Sequence, residues 1–215
     1  MSSNIGNGVM TGKRERTKTA NRDSILDAAR EVFTKLGYGA TTVRDIIRAT
    51  DLASGTFYNY FKSKEEVFQA IQDENALRVR PRLRAERIRA RSVEEFISGS
   101  FRTFFDYIAT DRQTFAVIRR NADTMRVRMD TPEIIAGFDE LRLDIIKAIE
   151  DGIFPPVDAN YLMAALVGVA FEVGEHMLTR EPVDTRAAAD FATALFLGGF
   201  KALPTTARPP ATNAA

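Results

Sequence analysis

The chain has no cysteine, which excludes a disulfide framework and a thiolate metal site. It has a single histidine, His176, so the ligand set for a transition metal is poor. The opening segment, MSSNIGNGVMTGKRERTKTA, lacks the apolar core of a signal peptide. The longest near-apolar run, Tyr161 to Phe171, is too short to span a bilayer. No nucleophile elbow, phosphate loop, paired-carboxylate signature or HExxH string occurs. These absences predict a cytoplasmic, non-enzymatic protein with no metal or cofactor and no membrane partner.

What is present is a chain of 215 residues, 45% of them hydrophobic, enough for a real core. The net charge is only +1, but its distribution is uneven. Residues 1–64 carry 11 Lys/Arg against 6 Asp/Glu, and residues 65–91 carry 7 against 5. The remainder carries 12 against 18. A basic N-terminal head on an acidic body is the footprint of a nucleic-acid binder.

The most informative stretch is TTVRDIIRATDLASGTFYNYFKSKEEVF, Thr41 to Phe68. Thr42 and Asp45 have cap-box spacing. Val43, Ile46 and Ile47 make one apolar stripe on a two-turn helix. Asp51-Leu52-Ala53 is a turn. Ser54 is placed to cap a second helix running to Phe61, with Phe57, Tyr60 and Phe61 inward. Thr56, Tyr58 and Asn59 are left facing outward. Gly55 has no side chain, so the backbone there can come close to a phosphate. Ser63-Lys64-Glu65-Glu66 is a cap box for a longer helix.

This string resembles the TetR/AcrR family of bacterial transcription regulators. The resemblance is carried by Thr42, Val43, Asp45, Ile46, Ser54, Gly55, Thr56, Phe57, Tyr58, Tyr60, Phe61, Ser63, Lys64 and Glu65. It implies an all-α homodimer of about nine helices per subunit. Each subunit would have a helix-turn-helix head and a larger body for dimerisation and effector binding. It also implies double-stranded operator DNA as a partner and the last two helices as the dimer interface. Thr42, Tyr58, Asn59 and Lys64 are then expected at phosphates, and Arg44, Ser54 and Thr56 near base edges.

The expected domains are a disordered basic arm over 1–19, a DNA-binding head over 20–64, a body over 65–203 and a disordered tail over 204–215. The arm holds Lys13, Arg14, Arg16 and Lys18, read either as a solvated tail or as a phosphate-touching extension. Helix one is expected from Asn21 to Leu36, with Ile25, Ala29, Val32, Phe33 and Leu36 inward. Helix four begins at Ser63, and Pro81 should kink or end it. Its far end bears seven arginines between Arg78 and Arg91, read as a solvated face balanced by acids or as an anion site.

Ser92 caps helix five, which runs to about Ala109. A short helix six covers Gln113 to Asn121. Thr131 and Pro132 start helix seven, which ends at Gly152. Helix eight starts at Asp158 and should be buried on more than one face over Tyr161 to Phe171. Helix nine runs from Asp184 to about Ala202.

The resemblance places an effector pocket among helices five to eight, for an apolar small molecule. The matching positions are Phe101, Phe104, Phe105, Phe138 and Phe171, with Arg119, Asn121 and Met125 near a mouth. An aromatic stripe at helical spacing is also what plain core looks like. Glu172 and His176, one turn apart, are read as a buried pair, as a ligand-orienting pair or, least favoured with one histidine and no cysteine, as metal ligands. The combined expectation is a ligand-responsive repressor. The alternatives are an effector-independent DNA-binding dimer and a helical small-molecule-binding protein or enzyme with a vestigial head.

Overall fold

A computed structural model of the chain describes residues 7–120, 131–200 and 202–203. Among the described residues it is all-helical, with nine helices: α1 Asn7–Leu36, α2 Val43–Arg48, α3 Ser54–Tyr58, α4 Lys64–Arg89, α5 Val93–Thr110, α6 Arg112–Arg120, α7 Pro132–Glu150, α8 Ala159–Leu178 and α9 Thr185–Phe200. The tail 204–215, expected to be disordered, lies outside the described residues.

The chain divides into two compact units. The first holds residues up to Gln72 and the part of α6 from Ala116 onward. The second begins at Asp73. The boundary therefore lies inside α4, not at residue 64 as the sequence suggests. A long helix has no composition break to mark where its neighbours change.

In the first unit α1 buries Ile25, Ala29, Val32 and Phe33 of the expected stripe, with Leu26 beside them. Leu36, expected inward, is 50% exposed. The helix also starts earlier than expected, so the segment read as a disordered arm forms its first turns from Asn7. Lys, Arg and Glu are good helix formers, and beyond Gly12 no breaker interrupts them.

The second unit is a bundle. Helix α9 packs along α5, and α8 packs against α5, α7 and α9. Predicted caps hold these helices. Ser92 Oγ accepts from Glu95 N at 3.1 Å, and Thr131 Oγ1 from Ile134 N at 3.3 Å. Asp158 Oδ1 accepts from both Asn160 N and Tyr161 N. Helix α7 stops before Gly152, whose φ of 73° suits a residue without Cβ.

Pro81 neither ends nor breaks α4. Pro81 and Leu77, whose carbonyl loses its helical partner there, are both exposed, so water can take that bond. Two arginines also clamp this part of the helix to α7. Arg80 grips Glu140 in a fork, Nε to Oε2 at 2.9 Å and Nη2 to Oε1 at 2.7 Å, and its Nη1 reaches Glu133 at 2.9 Å. Arg87, buried, donates from Nε to Asp144 Oδ2 at 2.7 Å. The other arginines are outward: Arg78 near Glu74, Arg82 over the Tyr107 ring, Arg89 paired with Glu86. Of the two readings of the cluster, the structure supports a basic face balanced by acids.

Helix α8 departs from expectation. Its inner face, Leu162, Leu166, Gly174 and Met177, is buried, but Tyr161, Ala164, Ala165 and Gly168 are exposed in the single chain. By length and hydropathy α8 would also suffice to cross a membrane. Here it packs as a bundle helix on α5, α7 and α9.

The hydrogen bond from Arg80 holds the Glu140 carboxyl below its ordinary value of 4.5. A carboxylate with a lowered folded value stabilises the fold above its unfolded value and loses that contribution as pH falls through the folded one. The clamp therefore weakens below about pH 4.5. Thermal unfolding followed from neutral to acid pH should show Glu140→Gln less stable at neutrality and flatter on the acid side. A variant that fell as steeply as the parent would contradict this assignment.

Candidate nucleic-acid interface

The corner between α1 and α2 positions the interface. Gly37, at φ 78°, turns the chain out of α1, and Thr41 Oγ1 donates back to Gly37 O at 2.7 Å. The Tyr38 ring packs against Phe33 and Phe68, with centroids 5.5 and 4.9 Å away. Its hydroxyl donates to Glu65 Oε1 at 2.9 Å. Burial alone would push the Glu65 carboxyl up, but hydrogen bonds from its own backbone, Tyr38 and Ser63 outweigh this and leave it lowered.

Lys64 completes the corner. Its Nζ donates to the carbonyls of Tyr38 and Thr41 at 2.8 Å and approaches that of Gly39 at 3.3 Å. It also sits 4.6 Å from the centroid of the Tyr38 ring. An ammonium has three donors. Those of Lys64, expected at phosphates, are committed to the corner. The sequence offered no signal for this, because the carbonyls it meets lie more than twenty residues upstream.

Helix α2 opens with the predicted cap box. Thr42 N donates to Asp45 Oδ2 at 2.9 Å, and Asp45 N to Thr42 Oγ1 at 3.3 Å. The Thr42 hydroxyl donates to Asp45 Oδ2 at 2.6 Å, and this bond leads the causes that hold the Asp45 carboxyl below its ordinary value. Thr42 is therefore engaged as a cap, with no hydroxyl proton left for a phosphate in this conformation. Ile46 is buried, while Arg44 is exposed on the outer side.

Thr50 shapes the turn, donating from Oγ1 to Ile47 O at 2.8 Å and accepting from Leu52 N at 3.3 Å. Helix α3 is shorter than expected, ending at Tyr58 instead of Phe61. Its N-cap is Ala53, which has no capping atom, so Ser54 is not the cap but the first helical residue, exposed. Phe57 is buried, and its ring meets Tyr58 edge-on at 5.4 Å and Phe61 at 6.2 Å. With Phe57 inward, Gly55, Tyr58 and Asn59 are exposed and Thr56 is half-buried. Beyond α3, Asn21 Nδ2 donates to Tyr60 Oη at 3.4 Å, and Arg22 lies over the Phe61 ring at 5.7 Å.

In the second unit the expected effector positions separate. Phe101, Phe104, Phe105 and Phe171 join one ring network with Phe115 and Phe196, which sequence reading did not include. Phe115 and Phe171 stack at 6.0 Å. Phe138 takes no part in the described ring contacts and sits half-buried on α7. Glu172 and His176 are both exposed, which overturns the buried-pair reading. They lie on the bare side of α8, a side that a single-chain hydropathy pattern cannot distinguish from core. Asn121 and Met125 lie outside the described residues, and nothing is described of the Arg119 side chain.

A short helix held by one buried aromatic, buttressed by a capped helix, with a polar outer edge and a basic surround, is a helix-turn-helix of the kind that reads duplex DNA. A sequence profile for bacterial regulatory proteins of the tetR family matches residues 25–71. The repressor AcnR of Corynebacterium efficiens is 32% identical over 147 residues, 58% of this chain and 78% of that protein. The fatty acid degradation regulator FadR of Bacillus halodurans superposes with a TM-score of 0.72 at 26% identity, covering 84% of this chain and 96% of that one. FadR of Bacillus subtilis in complex with stearoyl-CoA superposes at 0.67 with 22% identity, covering 82% and 97%. The chain belongs to the TetR family of transcriptional regulators.

Loss of the Lys64 ammonium would leave buried or part-buried carbonyls without their donor. Lys64→Met should therefore lower head stability by about 1–3 kcal/mol. Faster amide exchange over residues 38–42, with the second unit unchanged, is the expected readout. Unchanged exchange there would contradict the stapling role.

Proposed function

We propose that the protein is a ligand-responsive repressor that binds a pseudo-palindromic operator as a homodimer in the cytoplasm. The observation that carries this reading is the orientation of α3, with Phe57 buried, Ser54, Tyr58 and Asn59 exposed and Thr56 half-buried beside them. In this reading Arg44, Ser54 and Thr56 approach base edges, and Tyr58 and Asn59 hold phosphates. Gly55 supports it too. A Cβ there would meet nothing within 4 Å inside the protein, so internal packing does not require glycine. Close approach of a partner would.

Support for the dimer comes from the bare faces of α8 and α9. Tyr161 is 79%, Phe191 62% and Leu195 53% exposed in the single chain. Small residues Ala164, Ala165, Gly168, Ala194, Gly198 and Gly199 surround them, which lets helices approach closely across a twofold axis. Two such subunits would present their α3 helices to half-sites about one helical turn, or a multiple, apart.

An acyl-type apolar effector is the class that the phenylalanine network of the body favours. Phe104 and Phe171 are only half-buried, so a chain could lie against them. The coupling route would be α4, whose first turns belong to the head and whose later turns are clamped to α7. One observation favours an effector-independent dimer instead. Gly174 lets Ile108 and Phe105 pack so closely that a Cβ would lie 2.7 Å from Ile108 Cδ1, so this part of the body is already filled.

Gel-shift titration on a duplex selected by the full-length protein tests the head. Arg44→Ala should weaken binding by about 1–3 kcal/mol and relax choice at one base position. Gly55→Ala should leave the fold as stable or up to about 1 kcal/mol more stable while weakening binding. Retained affinity in both would count against the regulator reading. Native mass spectrometry tests the body. A dimer lost in Phe191→Glu, and a retained acyl-bearing mass in the parent, are expected. A dimer with no retained or titratable ligand would favour the effector-independent reading.

A further inference from the structure

The first turns of α1 carry a cationic face that the helix-turn-helix does not use. In a helix of 3.6 residues per turn, Arg14, Lys18 and Arg22 recur at i, i+4 and i+8, and Asn21 lies on the same side. The lower end of this stripe is docked: Asn21 touches Tyr60, and Arg22 covers Phe61. Tyr60 and Phe61 are the residues that leave α3. The face that packs beside the exit of α3 therefore continues upward as Lys18 and Arg14, both exposed. Arg16 is also exposed but sits about 200° around the helix from Arg14, on the far side.

This segment has no buried residue between Arg14 and Ala20. A helix that is polar all round gains nothing from its own core. Its position beside α3 and its charge match one occupant, the phosphate backbone of the duplex.

We propose that Arg14 and Lys18 form a second DNA contact, gripping backbone phosphates that flank the half-site read by α3. This rests on the head being a DNA reader. The contact adds affinity and salt dependence without adding base choice, because phosphates carry no sequence information. It is directional, so Arg16, with the same charge, is excluded from it.

The test is the salt dependence of binding by the full-length protein, on a duplex it selects from a random pool and on a copy trimmed at the half-site edges. The variants are Arg14→Gln with Lys18→Gln, each single, and Arg16→Gln. Glutamine keeps helix propensity, and all three positions are exposed, so the fold is retained. Each lost phosphate contact reduces the slope of log K against log salt by about 0.9, so the double variant of a dimer should lose roughly 3–4. Preference for the selected duplex over random duplex should persist. Trimming the flanks should weaken the parent and leave the double variant unaffected.

An unchanged slope in the double variant, with selected binding intact, overturns the flank contact but leaves the regulator reading standing. A loss in Arg16→Gln as large as that of either single variant also overturns it, because the effect is then a general field. A parent that binds no duplex overturns both.

Discussion

Helix α3 is too short to hold itself. Five residues close barely one turn, and an isolated helix of that length is far from stable in water. One buried side chain, Phe57, settles which way it faces. With the Phe57 ring inward, the helical period puts Tyr58 and Asn59 outward. The rest of the first unit exists to keep the seat of that ring in place. Phe61 meets that ring, α2 packs on α1, and the Tyr38–Lys64–Glu65 corner locks the chain between α1 and α2.

The second unit solves a different problem, holding a long arginine-rich helix against a bundle. Arg80 and Arg87 each meet a carboxylate from α7 in good geometry. Planar guanidinium forks suit this because they stay charged and bond two oxygens at once. The same pairs attach α4 to α7 on both sides of Pro81, so the proline becomes a local loss of one hydrogen bond and not a hinge. An arginine cluster that reads as a solvated face or an anion site in one dimension is thus partly a structural zipper in three.

Much of the head was legible. The Thr42–Asp45 box, the buried Ile46 and Phe57 and the outward Tyr58 and Asn59 all follow from local spacing and short-range hydrogen bonds. Helix starts in the body were legible for the same reason: Ser92, Thr131 and Asp158 bond amides two or three residues away. What local pattern does not show has a common form. The corner bonds of Lys64 leave no trace in it, because their carbonyls lie far upstream. The buried-pair reading of Glu172 and His176 fails because apolar neighbours on both sides of α8 look like core, whether they face the same chain or a second copy. The aromatic network missed Phe115 and Phe196 because it joins four helices.

The sequence by itself determined that the chain is all-helical, where most helices begin, that a helix-turn-helix lies near the N-terminus and which family the chain resembles. These are properties of the helical period and of bonds between near neighbours. Only the tertiary structure decided which charges are free and which are structural, which faces of α8 and α9 lie bare and which side of α1 runs on from the exit of α3. Those depend on contacts between residues distant in the chain, and local pattern carries no record of which distant carbonyl, carboxylate or ring a side chain will meet.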